Sequence, residues 1–379
     1  MDFSLSKQDQ LFLQMIREFA EKEVKPLAAE VDESERFPME TVQKMAKLGI
    51  MGIPFPVEYG GAGGNNILYT MAVEELSRVC ATTGVIVSAH TTLCCAPIME
   101  HGTPEQKAKY LPKLTSGEWI GAFGLTEPNA GTDASAQQTF AVKEGDHYVL
   151  NGSKIFITNA GYAHVYIIMA MTDKSKGTKG LSAFIVEKDF QGFSIGKKEK
   201  KMGIRGSATC ELIMENCIVP AENLLGQEGK GFGIAMKTLD GGRIGIASQA
   251  LGIAQGAMDE TVKYVKERKQ FGKSLGQVQN TQVQLADLQT KVEASRLLVR
   301  QAAYKKDQKV PYSADAAMAK LFAAETAMEV TTKAVQFHGG YGYTREYPVE
   351  RMMRDAKITE IYEGTSEVQR MVIAANLLK

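Results

Sequence analysis

The spacing of apolar residues changes twice along the chain, and this change restricts the fold more than any other feature. Up to about residue 115, and again from about residue 229, apolar residues recur at helical spacing. Between about 119 and 225 they form short β-branched runs separated by turn residues. A chain of 379 residues is long enough for about two to three domains. The pattern predicts an α+β protein with an N-terminal α-helical domain (1–118), a middle β-barrel or sandwich domain (119–226) and a C-terminal helical bundle (227–379).

Capping and turn residues predict individual elements within these regions. Ser6 and Asp9 resemble a capping box at the start of a first helix, and residues 103–106 (Thr-Pro-Glu-Gln) mark another helix start. A further helix is predicted over 38–49. In the middle region, residues 144–146 and the pair Asn151-Gly152 are predicted turns. The predicted strands are 139–143, 147–150, 165–172 and 181–187.

The C-terminal third is predicted to contain long helices that form a bundle. One Ala- and Gly-rich helix is predicted over 243–270, and the next carries an apolar stripe made of Leu285, Leu288, Val292 and Val299. Ser313 is predicted to cap a helix that ends where Gly339 and Gly340 follow His338. A final helix is predicted over 367–378.

Charge and composition exclude several classes of function. Lys and Arg number 44, as do Asp and Glu, so the zero net charge favours neither nucleic acid nor an anionic membrane surface as a partner. No apolar run approaches the roughly 18 residues of a membrane span. The N-terminus has neither the basic and apolar segments of a signal peptide nor the early arginines of a transit peptide. A cytoplasmic location is therefore expected.

The cysteines, histidines and glycines form no metal, disulfide or P-loop pattern. The five cysteines include no CxxC pair, and their odd number favours buried free thiols in a reducing compartment. The five histidines are scattered without an HExxH motif, so no metal site is predicted. Residues 60–64 lack the GK[ST] of a phosphate-binding loop and are predicted to be a flexible connection.

One carboxylate near the C-terminus has the surroundings expected of a general base. Glu363 follows the apolar pair Ile361 and Tyr362 and precedes the backbone-permissive Gly364. Apolar neighbours raise the pKa of a carboxylate, which matches it better to a weakly acidic carbon. The ordinary alternative is a solvated loop glutamate.

Two segments of the middle region could contact a planar ring. Residues 123–133 present Thr126 and Thr132 beside glycine and proline, although an ordinary turn has the same composition. Within 151–159, Phe156 and Thr158 share one face of a strand, so one could cover a ring while the other bonds its edge. Phe156 could equally be a core residue.

Three segments of the C-terminal region could contact charged groups. Residues 240–243 (Asp-Gly-Gly-Arg) are predicted to begin the long helix, with a loop ion pair as the ordinary alternative. Arg268 could bind a pyrophosphate, since guanidinium groups suit phosphate oxygens. Gly339 and Gly340 would permit close approach of the backbone to such a group.

Taken in order, these motifs resemble those of the acyl-CoA dehydrogenase family. The resemblance covers essentially the whole chain, and it is strongest for the short-chain, butyryl-CoA type. The matching segments are TEPNAGTD (126–133), NGSKIFITN (151–159), KMGIRGSATCEL (201–212), DGGRIGIASQALG (240–252), ERKQFG (267–272), QFHGGYGYTREYPVERMMRDAKI (336–358) and IYEGTSEVQR (361–370).

The resemblance implies an FAD-dependent enzyme, with a C-terminal four-helix bundle, that oxidises the Cα–Cβ bond of an acyl-CoA. Glu363 would take the α-proton while the β-hydrogen leaves as hydride to flavin N5. The backbone N–H of Glu363 and a ribityl hydroxyl of FAD would stabilise the charge on the thioester oxygen. The resemblance also implies an electron-transferring flavoprotein as electron partner and a homotetramer.

The resemblance assigns binding roles to matching positions. Those that match substrate contacts are Thr132, Asp240, Gly241, Gly242, Arg243 and Gly364, with Arg243 near the CoA ribose-phosphate. Those that match FAD contacts are Phe123, Leu125, Thr126, Thr132, Phe156, Ile157, Thr158, Arg268, Phe271, Gln279, Gln336, Phe337, His338, Gly339, Gly340, Thr365, Ser366 and Glu367. Of these, Arg268, Gln279 and residues 336–340 would contact FAD across a subunit boundary.

Position 242 separates members of the family. Isovaleryl- and long-chain members carry the base there, on the long helix, whereas this chain has Gly242, which implies the short- or medium-chain type. Gln270 stands where the family usually has a hydroxyl, and Phe156 replaces the tryptophan of some relatives. Residues 85–95 would form the pocket floor, and four-carbon substrates are expected.

Several alternatives stay open at this level. The enzyme could prefer medium-chain or branched acyl groups, use O₂ as an oxidase, or run in reverse as an enoyl-CoA reductase. A non-enzymatic protein on the same scaffold is a further alternative, but the intact Glu363 and flavin motifs argue against it.

Overall fold

The computed structural model describes residues 5–379. The N-terminal region is helical, because capped segments with one apolar face follow one another. Ser6 caps the first helix by accepting a hydrogen bond from Asp9 N at 3.1 Å, and Thr103 and Gln106 form the predicted capping box of the seventh. The helices are α1 Lys7–Phe19, α2 Ala28–Ser34, α3 Met39–Lys47, α4 Asn66–Val79, α5 Ala81–Ser88, α6 Ala96–His101 and α7 Pro104–Thr115.

The middle region is one eight-stranded sheet whose two halves pack face to face. The strands are β1 Gly121–Gly124, β2 Phe140–Glu144, β3 His147–Thr158, β4 Val165–Met171, β5 Leu181–Glu187, β6 Phe193–Lys198, β7 Thr209–Pro220 and β8 Leu224–Leu225. They pair in the order β6-β7-β3-β2-β4-β5-β8, with β1 parallel to β4. Strands β2 and β4 meet only at Phe140 and Met171, so the sheet divides there. Ile168 of β4 shares a core with Leu150 and Leu212 of the other half, as in a sandwich.

The C-terminal region is a bundle of long helices. These are α8 Gly231–Glu267, α9 Gln279–Asp307, α10 Ser313–His338, α11 Val349–Lys357 and α12 Ser366–Leu377; a ribbon of β9 Lys269–Gln270 and β10 Lys273–Ser274 links α8 to α9. Small residues let α8 lie close to its neighbours: a Cβ at Gly252 would come within 2.3 Å of the Glu74 carbonyl of α4. The predicted stripe of α9 is buried at Leu288, Val292 and Val299. The order helical, β, helical confirms the predicted α+β fold class, while the boundaries at 118 and 226 stay predictions.

One helical run is longer and more apolar than the sequence analysis expected. Ala81–His101 is long and apolar enough to cross a membrane, so the prediction that no run approaches such a length was wrong. In the folded chain, 89% of its most apolar window is buried inside the protein. Its high hydropathy is explained by packing against α8 and the sheet as a core element. The five cysteines are free and buried, as predicted.

Two predictions of loop structure were wrong. Asn151 and Gly152 do not form a turn, since β3 continues to Thr158 with a bulge opposite β7 between Leu150 and Gly152. A Cβ added at Gly152 would lie 2.6 Å from Thr139 Oγ1. The glycine therefore allows β3 to lie close to the segment at Thr139. Residues 60–64 are not a flexible connection, because three of their amides donate to carbonyls of residues 53–56.

Two predictions about helix starts were also wrong. Residues 240–243 do not begin the long helix, which starts at Gly231 and runs through them. Ser313 is the first residue of α10 and not its cap; its hydroxyl donates to Asp240 Oδ1 at 2.9 Å. Asp and Ser are common at helix starts, which is why both sites were predicted to be helix ends. Here Asp240 and Ser313 instead bond to each other between α8 and α10.

Candidate active site

The loop between α11 and α12 holds Glu363 in an uncommon backbone conformation. Glu363 has a φ of 55° and Gly364 a φ of 87°, so two successive residues are left-handed. Gln369 Nε2 donates to the carbonyls of Glu363 (3.0 Å) and Gly364 (2.7 Å), and Lys320 Nζ donates to that of Gly364 (2.7 Å). A left-handed glutamate persists only where its surroundings fix it, and these hydrogen bonds do so.

The Glu363 carboxylate is withdrawn from solvent and has an unused oxygen. Oε2 is inaccessible and has no hydrogen-bond partner within residues 5–379. It faces α8 at Gly242, where an added Cβ would lie 2.5 Å from Oε2 and 2.9 Å from Leu93 Cδ2. Burial raises the pKa of Glu363 to about 7, although the charges of Arg243 and Lys320 act to lower it. A desolvated carboxylate that ionises near neutral pH can accept a proton from a weak acid.

Asp240 and Arg243 form a buried ion pair beside this loop. Arg243 Nη1 lies 2.6 Å from Asp240 Oδ1, one helical turn away within α8. The Arg243 Nε is 3.5 Å from the Glu363 carbonyl, so the guanidinium also contacts the loop. Burial raises the pKa of Asp240, against the effects of Arg243 and Ser313. The structure thus brings Gly242 and Arg243 of the predicted substrate positions next to Glu363, with Asp240 held beside them by Arg243, while Gly241 faces Lys306.

Polar and aromatic side chains close the space beside Glu363 one turn further along α8. A Cβ at Gly245 would lie 2.3 Å from Ser88 Oγ and 2.7 Å from Tyr69 Oη. Gly245 is three residues from Gly242, a rise of about 4.5 Å along the helix. Ser88 lies in the stretch 85–95, which the sequence analysis proposed as a pocket floor. Beyond it, Gln249 accepts a hydrogen bond from the hydroxyl of Tyr362.

The predicted ring-contacting residues of the middle region lie together. Ile155 N donates to the Thr126 carbonyl at 2.9 Å, which holds the segment after β1 against β3. Phe156 is 60% exposed with a φ of 60°, in a bulge between Lys154 and Ile157, so it is not a core residue. Thr126 and Thr158 are half-buried beside it.

Other predicted cofactor positions of this segment point inward or stand apart. The side chains of Phe123, Leu125 and Ile157 are buried in the cores of the middle region, so only their backbones can face a ligand. Thr132 is exposed at the far end of the segment.

A buried ion pair that the sequence analysis missed supports this segment. Lys154 is fully buried, and its Nζ donates to Glu127 Oε1 (2.6 Å), Gln137 Oε1 (2.5 Å) and the Leu125 carbonyl (3.2 Å). Glu127 also accepts hydrogen bonds from the amides of residues 138 and 139. The pair fixes the backbone on both sides of Thr126. Lysine in a strand is usually exposed, so no sequence pattern indicated that this one is buried.

The start of α12 adds polar groups next to Glu363. Thr365 caps the helix by accepting from Val368 N at 3.4 Å. The hydroxyl of Ser366 is buried and has no partner within the described residues. Glu367 is exposed. Backbone amides at a helix start, with an unbonded hydroxyl, form a favourable place for an anion.

The remaining predicted cofactor residues form a second group at the other end of the bundle. Tyr264 stacks on His338 at 4.2 Å and donates to its carbonyl, and the Arg268 guanidinium carbon lies 5.8 Å from the ring of Tyr341. The group comprises Arg268, Phe271, Gln279, Gln336, Phe337, His338, Gly339 and Gly340. Most of it is exposed, and Phe271 is completely so. The imidazole of His338 is an exception, since it is buried and bonded to the Ala334 carbonyl.

Three family models match successive parts of the chain. The N-terminal, middle and C-terminal domains of acyl-CoA dehydrogenases match residues 6–118, 122–217 and 229–378.

Two relatives match the whole chain. It is 66% identical over 379 residues to a short-chain specific acyl-CoA dehydrogenase of Clostridium acetobutylicum, with 100% of both chains covered. It is 52% identical to an acryloyl-CoA reductase (NADH) of Anaerotignum propionicum, covering 100% of this chain and 96% of the relative.

Two solved structures have nearly the same fold. Butyryl-CoA dehydrogenase from Megasphaera elsdenii matches with a TM-score of 0.98 and 54% identity over 100% of both chains. A chain in the structure of the electron transferring flavoprotein of Acidaminococcus fermentans matches with a TM-score of 0.99 and 57% identity, also over 100% of both chains.

Proposed function

The chain belongs to the acyl-CoA dehydrogenase family, and we propose that it interconverts a short-chain acyl-CoA and its α,β-unsaturated product, with Glu363 as the base. Membership makes it an FAD-dependent oxidoreductase. The observation that carries the proposal is the Glu363 carboxylate. Its Oε2 is desolvated and unbonded, and faces a glycine where a side chain would obstruct it.

The chain's own residues account for the proton transfer. Glu363, ionised above about pH 7, takes the proton from the α-carbon. Its backbone N–H makes no hydrogen bond within residues 5–379, so it is free to donate to the thioester oxygen as negative charge develops there. Gln369 and Lys320 hold the carbonyls of residues 363 and 364, and so restrict the movement of the loop that carries this N–H. FAD, when bound, supplies the acceptor for the hydride that leaves the β-carbon.

The residues present fit FAD. Phe156 offers an exposed aromatic face, and the hydroxyls of Thr126 and Thr158 lie beside it for the polar edge of a flavin. The unbonded hydroxyl of Ser366 and the start of α12 suit a polar or phosphate group of the cofactor. The exposed group around Arg268 would serve FAD bound mainly by a partner subunit, which supports a homotetramer.

A short acyl chain is the proposed substrate. Ser88 and Tyr69 reach α8 only one turn from Gly242, so they limit the space beside Glu363 on that side. The relatives from Clostridium acetobutylicum and Megasphaera elsdenii are described as short-chain and butyryl-CoA enzymes. Medium-chain or branched specificity, and oxidase activity on the same scaffold, are the alternatives. The reductase from Anaerotignum propionicum supports the reverse reduction as a second physiological role.

The proposal extends to partner and location. The match to a chain in an electron transferring flavoprotein structure supports such a flavoprotein as electron partner. Five buried free thiols suit a reducing compartment, which supports a cytoplasmic location.

Anaerobic reduction and turnover test the proposal. The purified protein should be yellow and be bleached by butyryl-CoA, with turnover greatest for C4 when C4, C6, C8 and C12 acyl-CoAs are compared. A colourless protein that takes up no FAD would contradict the activity. An optimum at C8 or beyond would contradict the short-chain substrate alone.

A further inference from the structure

Lys320 is a buried lysine beside the Glu363 loop that the mechanism so far uses only as a hydrogen-bond donor. It lies on α10, and its side chain is completely buried. Its Nζ donates to the Gly364 carbonyl at 2.7 Å. It forms no ion pair within 4 Å in the described part of the chain.

The hydrogen bond alone does not explain a lysine at this position. Gln369 Nε2 donates to the same carbonyl, also at 2.7 Å, so a neutral donor already satisfies it. Burying an unpaired ammonium is unfavourable, because the group loses its hydration. What Lys320 adds to the loop is therefore its positive charge.

We propose that Lys320 is a positioning residue that keeps a positive charge next to the Glu363 loop, favours the ionised form of the base and holds the left-handed Glu363–Gly364 backbone. This inference rests on the proposed role of Glu363. In this proposal a residue on α10 keeps the base ionised although the site is desolvated.

A second positive charge also acts on Glu363. Arg243 of α8 lowers the pKa of Glu363 as Lys320 does, but its guanidinium is paired with Asp240 at 2.6 Å. Glu360 and Glu367, which precede and follow the loop, are negative and stabilise the charge of Lys320. The hydroxyls of Tyr362 and Tyr69 also lie near Glu363, and burial raises the pKa of both, so they stay neutral. Of the two cations, Lys320 is the one without an ion-pair partner within 4 Å among the described residues.

The charge of Lys320 is present over a limited pH range. Burial lowers the pKa of Lys320 to about 8, while burial raises that of Glu363 to about 7. Between these values the base is ionised and the lysine is charged. The rate of the proton-transfer step should therefore rise as pH increases through about 7, in a range where Lys320 is still charged.

The test is the pH dependence of flavin bleaching by butyryl-CoA in anaerobic stopped flow, using the FAD-loaded enzyme. Lys320→Gln removes the charge but keeps a donor. It should move the acid limb of the profile upward by about one pH unit, because one favourable charge is lost. At pH 6.5 this is about a tenfold fall in the bleaching rate. An acid limb that coincides with that of the wild type would overturn the inference.

Two further variants separate charge from structure. Gln369→Leu removes the neutral donor to the same carbonyl, so it should lower the rate at every pH and leave the acid limb in place. Lys44→Gln removes an exposed lysine of α3 and should change nothing. An acid limb moved equally by Gln369→Leu would mean that the hydrogen bonds, and not the charge, matter.

Lys320→Met keeps the inference testable if Lys320→Gln loses its FAD, because it also removes the charge. An acid limb that Lys320→Met moves upward by about one pH unit would support the inference, and one that coincides with the wild type would overturn it. A wild-type enzyme that butyryl-CoA does not bleach at any pH would overturn the proposed function itself, and this inference with it.

Discussion

Replacing Glu363 with glutamine should change how stability depends on pH, because the fold destabilises the ionised carboxylate. In the folded chain the pKa of Glu363 is about 7, above the ordinary value of 4.5. The folded state therefore holds this proton more tightly than the unfolded state. The resulting contribution to stability is fully present below about pH 4.5 and is lost as pH rises through about 7.

The size of the effect follows from the shift. Each pKa unit corresponds to about 1.36 kcal/mol, so ionising Glu363 costs the wild type about 3 kcal/mol between pH 4.5 and 8. An unfolding entropy of about 2.1 cal/mol/K per residue converts this into about 4 °C in melting temperature for the whole chain. Glu363→Gln cannot ionise, so its melting temperature relative to the wild type should rise by about 3 °C from pH 5 to pH 8, most of the full effect.

Thermal unfolding of both proteins at pH 5 and pH 8 measures this difference, and the contributions of groups that do not interact with Glu363 cancel. Glu367→Gln is the matched control, since that carboxylate is exposed and its pKa is lowered by Thr365 and its own backbone. It should show no such gain. A difference between Glu363→Gln and wild type that is equal at the two pH values would refute the claim that Glu363 is desolvated.

Three further predictions concern activity and support of the site. The kcat/KM of the wild type should rise as pH increases through about 7, because Glu363 must be ionised to act as base; a value flat from pH 6 to 8 would contradict this. Gly242→Ala places a methyl group 2.5 Å from Glu363 Oε2 and should lower kcat at least about tenfold with the FAD spectrum unchanged, whereas Gly233→Ala, where the methyl meets open space, should not. Full activity in Gly242→Ala would show that the carboxylate lies elsewhere. Lys154→Met leaves Glu127 buried and unpaired and should cost about 3–5 kcal/mol of stability, seen as a lower melting temperature; an unchanged one would mean the pair contributes nothing.

Local sequence was sufficient for the parts of the fold that depend on local interactions. Ser6 and Thr103 cap their helices through residues three positions away, so a short window contains the whole interaction. Asn151-Gly152 misled because the same pair suits a hairpin turn and a bulge. The partner strand β7 that decides between them lies about 60 residues further along the chain.

The site shows the same division between local and tertiary information. The motifs around Glu363 and Phe156 identified the family and the candidate base, because the order of the motifs is itself diagnostic. The buried groups that support the site could not be predicted from such motifs. Lys154 meets Glu127 across 27 residues, and Lys320 meets Gly364 across 44, and neither lysine belongs to a pattern that distinguishes a buried from an exposed side chain.

Mixing FAD-loaded Glu363→Gln with butyryl-CoA under anaerobic conditions tests directly whether Glu363 is the base. Glutamine keeps the size of the side chain and cannot accept the proton. If Glu363 is the base, butyryl-CoA bleaches the flavin of the wild type and leaves the flavin spectrum of the variant intact. Bleaching of the variant at the wild-type rate would show that another group removes the proton.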